Sequence, residues 1–212
     1  MKKLLPLLAV LAFLFVGCSA TLNQKKQLLT TTQTVQTQVQ QEQQALQVIG
    51  STVNDFPSTF EKAYQDDPSA DLKNDDGAVR KLLDKRAAAF KSLEAANTAL
   101  TDANNTLTKL NNQPSEDMPQ APLSKVLTSL KLAKLDHKTL VSYYREMLSA
   151  EDDFFAATAG SDVSQADLET QISQLNQYYS SLNQQIDVMT ANLTTVTSQN
   201  AKLTKAVKTM HD

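Results

Sequence analysis

The stretch Leu168-Glu-Thr-Gln-Ile-Ser-Gln-Leu-Asn-Gln-Tyr-Tyr-Ser-Ser-Leu-Asn-Gln-Gln-Ile-Asp-Val-Met189 carries an apolar or aromatic residue at 168, 172, 175, 179, 182, 186 and 189. The same +4/+3 alternation continues through Leu193, Val196, Asn200, Leu203, Val207 and Met210, with Asn200 as the one polar interruption. A seam repeating every seven residues over this length packs side chains knobs-into-holes against neighbouring helices and favours a left-handed supercoil. This helix needs partners, and the rest of the chain supplies three.

The first partner looks at sight like low complexity, with Gln33-Thr-Val-Gln-Thr-Gln-Val-Gln-Gln-Glu-Gln-Gln44 in its middle. The period nevertheless holds through Leu28, Thr32, Val35, Val39, Glu42, Leu46, Ile49, Val53, Phe56 and Phe60. The segment is therefore an amphipathic helix whose polar face is glutamine. Pro57 disfavours helical geometry at Phe56, so a kink or short break is expected there. The second partner starts after Asp75-Asp76-Gly77 and runs Val79, Leu82, Arg86, Ala89, Leu93, Ala96, Leu100, Ala103, Leu107, Leu110, its alanines leaving room for a close neighbour. Three prolines between Asn111 and Pro122 make a turn. The third helix reads Leu123, Leu127, Leu130, Lys134, His137, Val141, Tyr144, Leu148, Glu151, Phe155 and stops at Gly160. Ser164 and Asp167 have the spacing of a capping box for the fourth. No useful stretch alternates with period two. The fold class is all-α, an elongated four-helix up-and-down bundle with helices at approximately 25–64, 76–112, 122–158 and 163–210.

The N-terminus has a different grammar. Met1-Lys-Lys is followed by uncharged Leu4 to Val16 and then Gly17-Cys18, the layout of a secretory signal. Thirteen apolar residues are too few for a comfortable membrane span, which takes about 20. Cys18 is the chain's sole cysteine, so it forms no internal disulfide. Gly17-Cys18 resembles the end of a bacterial lipobox, although Phe15 and Val16 depart from its common upstream residues. That resemblance implies cleavage of residues 1–17 after Gly17, a diacylglyceryl and acyl lipid on Cys18, a short tether over 18–24 and the bundle over 25–212. Two acyl chains suffice for durable membrane attachment.

With the signal, the length, the four long helices and the Gln-rich first helix in place, the chain resembles the YkyA-like cell-wall-binding lipoproteins of Gram-positive bacteria. The resemblance implies a four-helical up-and-down bundle on the outer face of the cytoplasmic membrane, facing the wall. Its partners would be the membrane through the lipid, peptidoglycan or teichoic acid, or an envelope protein. The alternative is a helical adaptor or chaperone-like protein for a membrane or secreted partner.

Charge and motifs narrow the chemistry. The balance is −3 for the whole chain and −5 without residues 1–17, against the basic surplus of a nucleic-acid binder. No nucleophile elbow, HExxH, Walker loop or Cys/His cluster appears. Asp71 to Gly77 resembles a calcium loop, but with Gly77 at its sixth position leucines would fill the first and twelfth. An enzyme and a metal site are not expected, and no cofactor beyond the lipid is implied.

Level counting along the helices gathers three groups of interest. Glu42, Asn97 and His137 fall in one layer, either a ligand site or a polar layer that fixes helix register. Tyr144 and Tyr179 meet at another level, with Tyr143 and Tyr178 flanking the seam, as core packing or as rings for sugars. Lys25, Lys26, Lys202, Lys205 and Lys208 collect at the tethered end as candidate contacts for anionic lipid or polymer, or as ordinary helix-end charges. The opposite tip collects Asp66, Asp67, Asp71, Asp75, Asp76, Glu151, Asp152, Asp153, Asp162 and Asp167.

Overall fold

Four helices follow one another: α1 (Leu5–Asp66), α2 (Ala78–Asn111), α3 (Gln120–Thr158) and α4 (Gln165–Lys208). They come from a computed structural model that describes the backbone of residues 5–113, 117–159 and 163–210, with side chains from residue 23 onward. Gly17 and Cys18 lie outside the residues whose side chains are described, and Gly160, Asp162 and His211 lie outside the described residues altogether. No described helix is long and apolar enough to cross a membrane.

Each helix packs on its chain neighbour, and α1 also packs on α4, so the four form a closed ring of antiparallel neighbours. The hairpins α1–α2 and α3–α4 are the broadest contacts, α1–α4 is intermediate, and α2–α3 is the thinnest. The core is the expected heptad seam. All ten seam positions of α1 are buried, from Leu28 to Phe60, as are all those of α4 from Leu168 to Val207 and Met210 just beyond its end. Each fully buried leucine or phenylalanine contributes about 1.5–3 kcal/mol from burial alone. Among the described residues every core residue lies between Leu28 and Met210, so a chain starting at Ser19 keeps all of them.

Two expectations are corrected. On α3 the buried stripe runs Leu123, Val126, Leu130, Ala133, His137, Leu140, Tyr144, Met147, Glu151, Phe154. The heptad period expected from the sequence shares every second position but takes Leu127, Lys134, Val141, Leu148 and Phe155 for the rest. Those lie one residue round the helix, half-buried or exposed. Lys134 shows why: a cation on the rejected stripe stays in water, whereas Ala133 allows close approach. Second, α1 is not broken at Pro57, which lies inside a continuous helix. Proline cannot donate to the carbonyl four residues back. In the same turn the Thr59 and Ser58 hydroxyls donate to the Asp55 carbonyl at 2.7 and 3.2 Å.

Local signals set the ends. Ser164 Oγ accepts from the Asp167 N–H at 3.1 Å and donates to its carboxylate at 2.6 Å, so the expected capping pair forms. At the start of α2 the Asp75 carboxylate accepts from the Gly77 N–H at 2.9 Å. A Cβ on Gly77 would sit 2.9 Å from that same carboxylate oxygen, so a larger residue there would have to push the Asp75 side chain aside. One end of the rod is tied across the chain: Lys25 Nζ donates to the Met210 carbonyl at 2.8 Å, and Gln24 reaches Gln113 at 3.5 Å.

Candidate functional site

The thin α2–α3 edge has a closed half and an open half. In the closed half, nearer the acidic tip, three pairs reach across. Arg86 of α2 forms a buried ion pair with Glu151 of α3. The Phe90 and Tyr144 rings stack at 3.9 Å between centroids and 2° between planes. Glu94 Oε1 then meets His137 Nε2 at 2.9 Å.

The ion pair is the most buried polar feature. Tyr179 of α4 donates its hydroxyl to the second Glu151 oxygen, so one carboxylate ties three helices together. Burial opposes the Arg86 charge, but the Glu151 carboxylate outweighs it and raises the guanidinium pKa. Burial, reinforced by Glu151, raises the Tyr179 phenol far above its ordinary value. Burial likewise lifts that of Tyr144. Tyr144 and Tyr179 thus share a level and an ion pair, while their ring partners are Phe90 and Phe56. Glu151 consequently leaves the exposed acidic tip to which the sequence reading assigned it. This cluster went unrecognised as a site, although Arg86 and Glu151 both stood on apolar seams, where opposite charges must find each other.

Below Glu94 and His137 the same edge opens into a groove of about 590 Å³. Its apolar walls include Leu100 of α2 and Leu127 and Leu130 of α3, and Lys131, Lys134 and Lys138 stand along the α3 rim. Its floor reaches α1 at Glu42. Glu42 is 1% exposed, and its Oε1 meets no hydrogen-bond donor among the described residues. Burial pushes its carboxyl up to about 8, so it is largely uncharged at neutral pH. Leu135, 55% exposed, borders the opening.

Of the expected polar layer, Glu42 and Asn97 share this groove. His137 turns instead to Glu94 in the closed half. Burial lowers its pKa despite the nearby carboxylate, and its Nδ1 meets no partner among the described residues. Tyr178 is 45% exposed beside Glu146 and Gln174, whereas Tyr143 lies half-buried against the core. Lys26, Lys202, Lys205 and Lys208 are exposed at the end where α1 begins its packing and α4 finishes, and Lys25 is half-buried. Asp117, also exposed, shares that end. No metal-holding cluster of His, Cys, Asp and Glu occurs among the described residues.

These features define an elongated all-helical bundle with polar pairs inside and a groove along one edge. The chain belongs to the YkyA family, described as "Putative cell-wall binding lipoprotein", whose pattern matches residues 21–206. No curated protein and no solved structure matches it. The family's description assigns lipid attachment and wall binding to the group; it does not specify a partner.

Proposed function

We propose that this is a non-catalytic envelope protein, lipid-anchored through Cys18 at the outer face of the cytoplasmic membrane, whose bundle binds cell-wall polymer. The observation carrying this reading is the family match over residues 21–206, nearly the whole bundle. The cleavage site after Gly17 and the acyl lipid on Cys18 belong to the same proposal. Exposed Lys26, Lys202, Lys205 and Lys208 at one end are suited to phosphate-bearing polymer such as teichoic acid, because ammonium groups attract phosphate as point charges. Exposed Tyr178 offers a ring face to sugar.

The test is sedimentation of residues 19–212 with washed cell walls, with and without their teichoic acid. Binding that weakens as salt rises and as teichoic acid is removed supports the phosphate route. Absence of sedimentation with any wall preparation overturns wall binding. A second reading, an adaptor for an envelope protein, is favoured by the exposed leucines Leu132, Leu135 and Leu148 on α3. It predicts a discrete protein crosslink in living cells and no wall sedimentation.

A further inference from the structure

We propose that the α2–α3 groove binds a single-chain phospholipid, its acyl chain lying along Leu100, Leu127 and Leu130 and its phosphate held by Lys134 and Lys138. Three observations carry this. The first is shape. The groove runs beside α3 from Ser124 to Lys138, about 20 Å at 1.5 Å per residue. One leaflet of a bilayer contributes about half of a hydrocarbon core roughly 30 Å thick, so an acyl chain fits that length.

The second is charge. Lys131, Lys134 and Lys138 stand on one rim, and Glu42 is the sole acid among the residues lining the groove. Because Glu42 is largely protonated at neutral pH, the lysines set the sign and select an anionic headgroup. The third is the unpartnered Glu42 oxygen on the floor, level with Asn97 near the Lys138 end. A protonated acid there donates a hydrogen bond to a glycerol or ester oxygen just below the phosphate. An unmade hydrogen bond at such a buried group is costly, and a ligand oxygen would offset that cost.

Orientation follows from the fold. The Ser124 end of the groove lies toward the turn near Gln113, which contacts Gln24 at the start of the packed part of α1. If Cys18 carries the anchor, as the proposed function holds, the acyl tail points at the membrane and the phosphate away from it. That is the direction of a lipid drawn straight out of the outer leaflet. This orientation rests on the anchoring proposal; the groove's preference for the ligand does not.

The experiment uses residues 19–212, which keep every core residue among the described ones, and palmitoyl-lysophosphatidylglycerol below its micelle-forming concentration. Native mass spectrometry and displacement of a fluorescent acyl probe should both report a one-to-one complex. Lysophosphatidylcholine of the same chain length, and glycerophosphate without a chain, should each bind about tenfold more weakly or worse. The triple variant Lys131→Glu, Lys134→Glu, Lys138→Glu should weaken binding about tenfold or more, as expected for three lysines near a lipid phosphate. Asn104→Trp should obstruct the groove. All four positions are exposed or half-buried, so circular dichroism should show both variants folded.

Absence of a complex, equal binding by both variants, or equal binding of the zwitterionic lipid overturns the proposal. So does concentration-dependent self-association abolished by Leu135→Ser without lipid uptake, which would give the groove to a second copy. The same variants tested for wall sedimentation separate this idea from the proposed function. Wall binding kept without lipid binding defeats the groove alone, and the reverse defeats the wall reading alone.

Discussion

Arg86 on α2 and Glu151 on α3 form an ion pair in which the arginine side chain is 1% and the glutamate side chain 4% exposed. Two of the three guanidinium nitrogens, Nε and Nη1, meet no hydrogen-bond acceptor among the described residues. The pair is therefore buried more completely than it is satisfied. Removing one partner strands a charge, while removing both strands none.

Arg86→Met alone is expected to destabilise the bundle by about 3–5 kcal/mol, and Glu151→Leu by a similar amount. The double variant should recover most of the loss, since two apolar side chains of similar volume fill the same space. Urea unfolding of the wild type, both singles and the double measures this as a cycle. Additive single and double effects would show that the two residues are not coupled.

Glu42 makes stability depend on pH in a defined direction. Its folded pKa of about 8 stands above the ordinary 4.5, so between these values the folded chain holds a proton that the unfolded chain releases. Stability therefore falls as pH rises from about 4.5 to about 8 and levels off beyond. Glu42→Gln should remove that slope, adding a few kcal/mol at pH 8.5 and almost nothing at pH 4. Melting temperatures of both proteins across this range provide the check, and parallel curves would refute the assignment.

Pro57 withholds one backbone hydrogen bond from the interior of α1, near its C-terminal end. Its substitution by alanine restores the donor and removes the ring's clash, effects worth up to about 3 kcal/mol in a helix interior. Pro57→Ala should raise the urea midpoint with an unchanged slope. A lower midpoint would mean that the proline's packing and its rigidity in the unfolded chain outweigh the lost bond.

Cys18→Ala should abolish incorporation of labelled palmitate and release the protein from the membrane fraction. Retained label in that variant would place the lipid elsewhere and remove the basis for the expected orientation.

The helices and their buried faces were legible wherever one apolar stripe dominated, as on α1 and α4. On α3 two stripes overlap, sharing Leu123, Leu130, His137, Tyr144 and Glu151 and differing by one residue between them. Hydrophobicity does not choose between Leu127 and Val126 or between Leu148 and Met147; the neighbouring helices do. The polar layer was legible only as a level. Counting residues put His137 beside Glu42, yet the side chain's direction sent it to Glu94 at the surface edge. The groove was invisible in the sequence because it is a property of spacing between α2 and α3. Of its rim lysines, only Lys134 stands out in the sequence, and there as a seam position of the third helix.

The closed half of the α2–α3 edge behaves as a clasp and the open half as the pages it fails to hold. The spine of this book is the α1–α4 contact, and α1 carries both one of the two broad hairpins and the N-terminal end. A pull transmitted through that end would load the spine and leave the fore-edge slack. Arg86–Glu151, Phe90–Tyr144 and Glu94–His137 are the fastenings that hold the fore-edge shut over its closed half, and the groove begins where they stop.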